Sequence, residues 1–204
     1  MTPTPRRINT LSRAAMAIVL AGTLGGCGHS PPVRYVTLSA APAAAPLVTT
    51  QMQPVQLTAV HIPAELDRPE VVTQASANQL TVHDTDRWGA PLGQMMRRTL
   101  AQDLLTRLPP GSFVLPDAPA PPNTRTLVVT VLNAEAAASG TMTLQASWTL
   151  LSGHPSRADV TQQITLTSDA AGGDAAAQAA ALSHMLGQLA DRIAVSVAAG
   201  RDHD

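Results

Sequence analysis

The chain has 204 residues, room for one domain with extensions, and its hydrophobic share of 45% is carried mainly by alanine, leucine and valine. All thirteen basic residues are arginine; without lysine there is no Schiff-base nucleophile, no lysine general base and no P-loop phosphate motif. A formal charge of −1, with two Trp, one Tyr and one Phe, offers neither the basic footprint nor the stacking surface that nucleic acid requires.

The first thirteen residues, MTPTPRRINTLSR, are basic and free of acids, and the apolar run AAMAIVLAGTL follows from Ala14 to Leu24. That run falls short of the ~20 apolar residues a membrane span needs, and its order is that of an export signal. The Arg6-Arg7 pair suggests twin-arginine export, but the residues after it fit general secretion better. The run ends in LGGC, whose Cys27 is the only cysteine and so has no internal disulfide partner. LGGC in this position resembles the lipobox of bacterial lipoproteins. The likeness implies cleavage before Cys27, which then carries the lipid; the alternative is a buried free thiol. Cleavage would remove Arg6, Arg7 and Arg13, leaving ten arginines against fourteen acids. Gly28, rather than aspartate, follows Cys27, and by the sorting rule of such lipoproteins this implies the outer membrane.

Beyond the anchor, RYVTL at Arg34–Leu38 is a short strand candidate. SAAPAAAPLVTTQMQP has neither helical nor strand period and reads as a loop or extended linker. VQLTAVHI, Val55–Ile62, alternates only in part, as in a strand buried on both faces. EVVTQ and NQLTVHD form a hairpin. WGAPLGQMMRRTLAQDLLTRL sets Leu92, Met96, Leu100, Leu104 and Leu108 at helical spacing, with Arg97, Arg98, Gln102 and Thr106 mainly opposite, and the helix stops at Pro109-Pro110-Gly111.

After SFVL and the proline-rich PDAPAPPN come three strand candidates: TRTLVVTVLN, TMTLQASWTL and DVTQQITLTS. In the middle one Met142, Leu144, Ala146, Trp148 and Leu150 alternate with polar residues, as in an antiparallel strand with one face on the core. The last element is a helix with Leu182, Met185, Leu186, Leu189, Ile193 and Val197 on one stripe. The sum is an α+β domain: a mainly antiparallel sheet with two amphipathic helices packed on it. The organisation reads as a signal peptide over 1–26, an anchor and tether over 27–33, one domain over 34–200 and a polar tail over 201–204.

The chain carries little chemistry. His29, His61, His83, His154, His184 and His203 include no i, i+4 pair suited to zinc, and G-x-S-x-G and G-x-G-x-x-G are absent. Two carboxylate groups, Glu65/Asp67/Glu70 and Asp84/Asp86, fall in or beside turns, where Asp commonly bonds its own backbone. A hydrolase with paired carboxylates stays open only there. No metal, cofactor or catalytic residue is expected.

The segment IPAELDRPEVVT is a strand exit, a turn and a strand entry. Pro69 pushes Arg68 into extended geometry and lacks an amide donor, marking an edge or a strand start. Together with NQL and DTDRWGAPLGQMMRRTLAQDL, it resembles the signature of the ABC-type transport auxiliary lipoproteins, the PqiC (YmbA) family. The corresponding residues are Ile62-Pro63-Ala64, Leu66-Asp67-Arg68-Pro69 and the Arg87-Trp88 pair opening the helix, with RYVTL as the family's first strand. Glu65, where members often carry an aromatic residue, and Gly89-Ala90, in place of a more helix-favouring pair, depart from the pattern.

The resemblance implies a non-enzymatic, palmitate-bearing outer-membrane lipoprotein of an MCE-type lipid-transport or membrane-integrity system. Its partners would be a periplasmic MCE-domain protein and inner-membrane transport components, with a second copy of the chain as a further possible contact. Cys27 would be the anchor. Asp67, Arg68, Arg87 and Trp88 would form either a structural frame or a partner surface. The alternative function is a periplasmic lipoprotein that holds a lipid or small apolar ligand between helices and sheet. If RYVTL is the first strand, it starts within ~25 Å of the bilayer, since an extended residue spans at most ~3.6 Å. The partner must then come to the domain, and the strand edge near Pro69, around Val71 and Thr73, is one docking place.

Overall fold

The computed structural model describes residues 31–43, 45–48, 52–153, 155–170 and 173–199; the signal segment, Cys27, His29, His154, His203 and the tail from 201 lie outside them. The chain divides into two units, Met1–Pro32 and Val33–Asp204, and the architecture below is that of the second.

The described residues form β1 (Arg34–Val36), β2 (Val55–His61), β3 (Glu70–Ser76), β4 (Gln79–Trp88), α1 (Leu92–Arg107), β5 (Phe113–Val114), β6 (Arg125–Ala136), β7 (Thr141–Ser152), β8 (Arg157–Asp169) and α2 (Ala175–Ala199). The strands make a five-stranded sheet in the order β5-β2-β6-β7-β8 and a three-stranded sheet in the order β1-β4-β3. The long ladders β3–β4, β6–β7 and β7–β8 are antiparallel. The pairs β1–β4, β2–β5 and β2–β6 are parallel. Parallel pairing of β2 with β6 is possible because the chain makes a long excursion through the hairpin, α1 and β5 before returning in the same direction.

Hydrophobic alternation sets the core. Met142, Leu144, Ala146, Trp148 and Leu150 of β7 are all buried, as are Leu127, Val129 and Val131 of β6. Onto this face α1 lays Leu92, Met96, Leu100 and Leu104, and α2 lays Leu182, Met185, Leu186, Leu189, Ile193 and Val197. Polar side chains join the layers where a helix ends over the sheet. Trp148 Nε1 donates to Ser196 Oγ at 2.9 Å, and Arg125 donates to the Val197 carbonyl near the C-terminus of α2 at 3.1 Å, where a cation complements the helix dipole.

Two details differ from the sequence reading. β2 is buried on one face only, at Val55 and Leu57, because a register irregularity between Leu57 and Ala59 breaks its alternation. Arg87 and Trp88 do not open the helix: they end β4, paired opposite Tyr35 and Val36, and α1 begins at Leu92. Pro91 accounts for the break, since Ala90 before it is biased towards extended geometry while proline itself suits a helix start.

Candidate functional site

The residues carrying the sequence signature converge on one corner of the small sheet. The turn after β2 is closed by Leu66 N to Pro63 O at 3.0 Å and Asp67 N to Ala64 O at 3.2 Å. Pro69, without an amide of its own, uses its carbonyl to accept Trp88 N at 2.8 Å, so the turn is stitched to the end of β4. Arg68 Nε donates to Glu70 Oε2 at 3.2 Å, and Glu70 stands opposite Arg87 in the β3–β4 register. A backbone amide bond, with Arg68 and Arg87 adding to it, holds the Glu70 carboxyl below its ordinary range.

Trp88 is 8% exposed and joins the core, whereas Asp67 stands exposed at the tip of the turn. Arg34 grips buried Asp86 with two bonds, 2.7 and 2.9 Å, tying β1 to β4. The two departures from the family pattern also have places here. A Cβ on Gly89 would lie 3.0 Å from Thr37 Cγ2, so glycine lets the β4 exit pass close to the chain after β1. Glu65 lies exposed on the turn.

The segment read as a linker is a strap laid across both helices. Ser39 N donates to Ser183 Oγ, Ala41 N to Asp103 Oδ1 and Ala43 N to Thr106 Oγ1, while Leu47 N donates to the Arg107 carbonyl. Arg107 returns a bond to Ala41 O at 2.8 Å and holds Asp191 of α2 at 2.6 Å. Asp103 is fully buried, and burial pushes its carboxyl up to about 6 against the pull of the Ala41 amide and Arg107. Sequence reasoning missed this cluster. Its signal is Thr99, Asp103 and Arg107 at i, i+4 spacing, one residue behind the leucine row of α1.

Next to the corner, the two sheets part around a cleft of about 280 Å³. β2 pairs with β6 only as far as His61 opposite Thr130, and β3 meets the chain just past the end of β6 through a single bridge, Gln74 opposite Ala137. Between these points the edge of β6 has no paired strand among the described residues. The turn at Pro63–Leu66, Val72 and Gln74 of β3, the hairpin tip and Asn133–Ala136 of β6 line the gap. A bulge between Val131 and Asn133 turns Leu132 outward, 46% exposed, beside it.

Of the two edge positions singled out near Pro69, Val71 is fully buried. Thr73 is held by His83 at 2.8 Å and by Gln178 of α2 at 3.0 Å. Both face inward, because alternation turns Val72 and Gln74, not Val71 and Thr73, towards the open side.

His184 meets Gln188 on the same helix at 3.1 Å. Arg97 forks onto Asp117 with two bonds of 2.8 Å, pinning the proline-rich loop to α1. Among the described residues no cluster of three or more His, Cys, Asp or Glu is arranged to hold a metal ion.

The fold has solved relatives. A crystal structure of an uncharacterized protein superposes with a TM-score of 0.68 at 22% identity, covering 81% of this chain and 99% of its own. The crystal structure of protein XCC0632 from Xanthomonas campestris, of family DUF330, gives a TM-score of 0.63 at 17% identity over 82% of this chain and 95% of its own. No curated protein matches. The family described as the ABC-type transport auxiliary lipoprotein component matches residues 36–194, a span that takes in the corner, the strap, the cleft, all of α1 and most of α2, and the chain therefore belongs to that family.

Proposed function

We propose that the protein is a non-catalytic, outer-membrane lipoprotein subunit of an MCE-type lipid-transport system, anchored through Cys27 and docking a periplasmic partner. The observation that carries this reading is a family match over residues 36–194 in a chain that also bears an LGGC lipobox at Cys27. Buried polar groups that bond within the fold support the non-catalytic part of it. Asp103 and Arg107 secure the strap, and Asp86 secures β1. The alternative, a lipid held between helices and sheet, would have to displace Leu100, Leu104, Leu127, Leu144, Leu186 and Leu189, all essentially without solvent contact.

Membrane fractionation of Cys27→Ser tests the anchor. The variant should leave the membrane or stay uncleaved, since firm attachment requires more than one acyl chain. A processed Cys27→Ser chain that still fractionates with the outer membrane would refute anchoring through this residue.

A further inference from the structure

The cleft between the two sheets is open on the outer face of the domain. Val72 and Gln74 of β3 share that face with Val82 and Leu80 of β4, their register partners. Leu80 and Val82 are 41% and 37% exposed. On the other wall, Asn133 and Glu135 point outward while Ala134 and Ala136 are buried. The floor is strand edge. From Val131 to Ala136, β6 lacks a neighbour on this side among the described residues, so alternate residues turn backbone donors and acceptors into the gap.

The lining mixes polar and apolar side chains, and its charge is of one sign. It contains the carboxylates Glu65 and Glu135 and the amides Gln74, Asn78, Gln79 and Asn133, and no basic side chain. Its volume, about 280 Å³, lies at the lower limit for small-molecule pockets and is too small to enclose a lipid, but a short strand with one long side chain fits.

We propose that this cleft is where the periplasmic partner protein docks, by adding an extended segment to the free edge of β6 and placing an arginine or lysine between Glu65 and Glu135. Strand addition supplies main-chain hydrogen bonds to a stretch of edge with no paired strand among the described residues, and the two carboxylates select the sign of the inserted side chain. The turn at Pro63–Leu66 closes one end and the Gln74–Ala137 bridge narrows the other. The segment therefore enters from the outer face and is only a few residues long. This rests on the docking function proposed above and names its contact surface.

The test uses the full-length chain in its own membranes. A photo-crosslinking residue is placed at Asn78 or Asn133 in the cleft, or at Thr161 on the exposed strand β8 as a control, and the charge-reversed pair Glu65→Arg, Glu135→Arg is made separately. Capture of the MCE-domain partner from Asn78 and Asn133 but not Thr161 is expected, with the adduct mapping to an extended segment within a few residues of an arginine or lysine. Co-purification of that partner should fall about tenfold or more in the charge-reversed variant, whose melting temperature should stay close to the wild type because Glu65 is exposed and Glu135 faces outward from β6. If the partner co-purifies with the wild type but is captured only from Thr161, or charge reversal leaves co-purification unchanged, the cleft is wrong and the docking function stands. A second copy of this chain captured from the cleft would also overturn the assignment. If no MCE-domain protein co-purifies with the wild type, the docking function itself fails.

Discussion

The five-stranded sheet with its two helices and the three-stranded sheet beside it are stabilised in different ways. In the first, apolar side chains at most inward positions of β6, β7 and the two helices are removed from water, and Leu57, Met96, Leu144, Leu182 and Leu189 are among those fully buried. The second has few such residues: Val71 and Trp88 are buried, but much of β4 is exposed. Specific polar pairs hold it instead, Arg34 with Asp86, Arg68 with Glu70, and Thr73 with His83 and Gln178. The turn and strand-end motifs of the family signature, residues 62–69 and 87–88, lie in or beside this second region. A sheet with so little buried apolar surface has its geometry fixed by turns and directed bonds rather than by packing.

The largest effect should come from the packed region. Leu186→Ala removes a fully buried side chain between α2 and the sheet and should lower unfolding free energy by about 3–5 kcal/mol in chemical denaturation. A loss under ~1 kcal/mol would mean that the helix–sheet interface is looser than its burial implies. Trp88→Ala probes the joint between the regions. It should cost about 3 kcal/mol, the lower end for a large aromatic residue, because Trp88 keeps one rim in solvent. No change in melting would move Trp88 from the frame to the partner surface.

Asp103 sharpens the comparison through pH. Its native pKa of about 6 lies above the ordinary value of 3.8. Between those values the native state holds a proton that the unfolded chain has lost, so this group's contribution falls as pH rises through the window and is lost above it. Asp103→Asn keeps an acceptor for the Ala41 amide without the charge. Its advantage over the wild type should grow from pH 4 to pH 7 and reach about 2 kcal/mol. A constant difference across that range would show that the carboxylate is fully compensated by Arg107. The smallest effect is expected at Gly89→Ala, about 1 kcal/mol, since the new Cβ meets only the movable methyl of Thr37 and the Val36 carbonyl. Thermal melts resolve this, and an unchanged or raised melting temperature would mean that the β4 exit can shift.

The sequence made the elements legible because they follow local periodicity. The β7 alternation and the α2 stripe each appear at the expected residues. The local hairpin of β3 and β4 was legible, but pairing between strands distant in sequence was not. Nothing local in VQLTAVH says that β2 pairs in parallel with β6, more than sixty residues on, or that β3 then approaches the same edge without completing it. The cleft is a product of that long-range topology. The Ala- and Pro-rich strap lacks period because its bonds run to side chains of two helices rather than to a strand neighbour. The signature residues were visible as a group, yet Trp88 was set in the wrong element because Pro91, not the tryptophan, marks the change from strand to helix.

The central claim is that this domain exists to bring a periplasmic transport protein to the membrane that holds it. Affinity purification of the tagged full-length chain from detergent-solubilised membranes, with the bound proteins and lipids identified by mass spectrometry, tests it most directly. The account predicts enrichment of an MCE-domain protein and its inner-membrane components. Recovery of a stoichiometric lipid with no protein partner would contradict it and favour the ligand-binding lipoprotein.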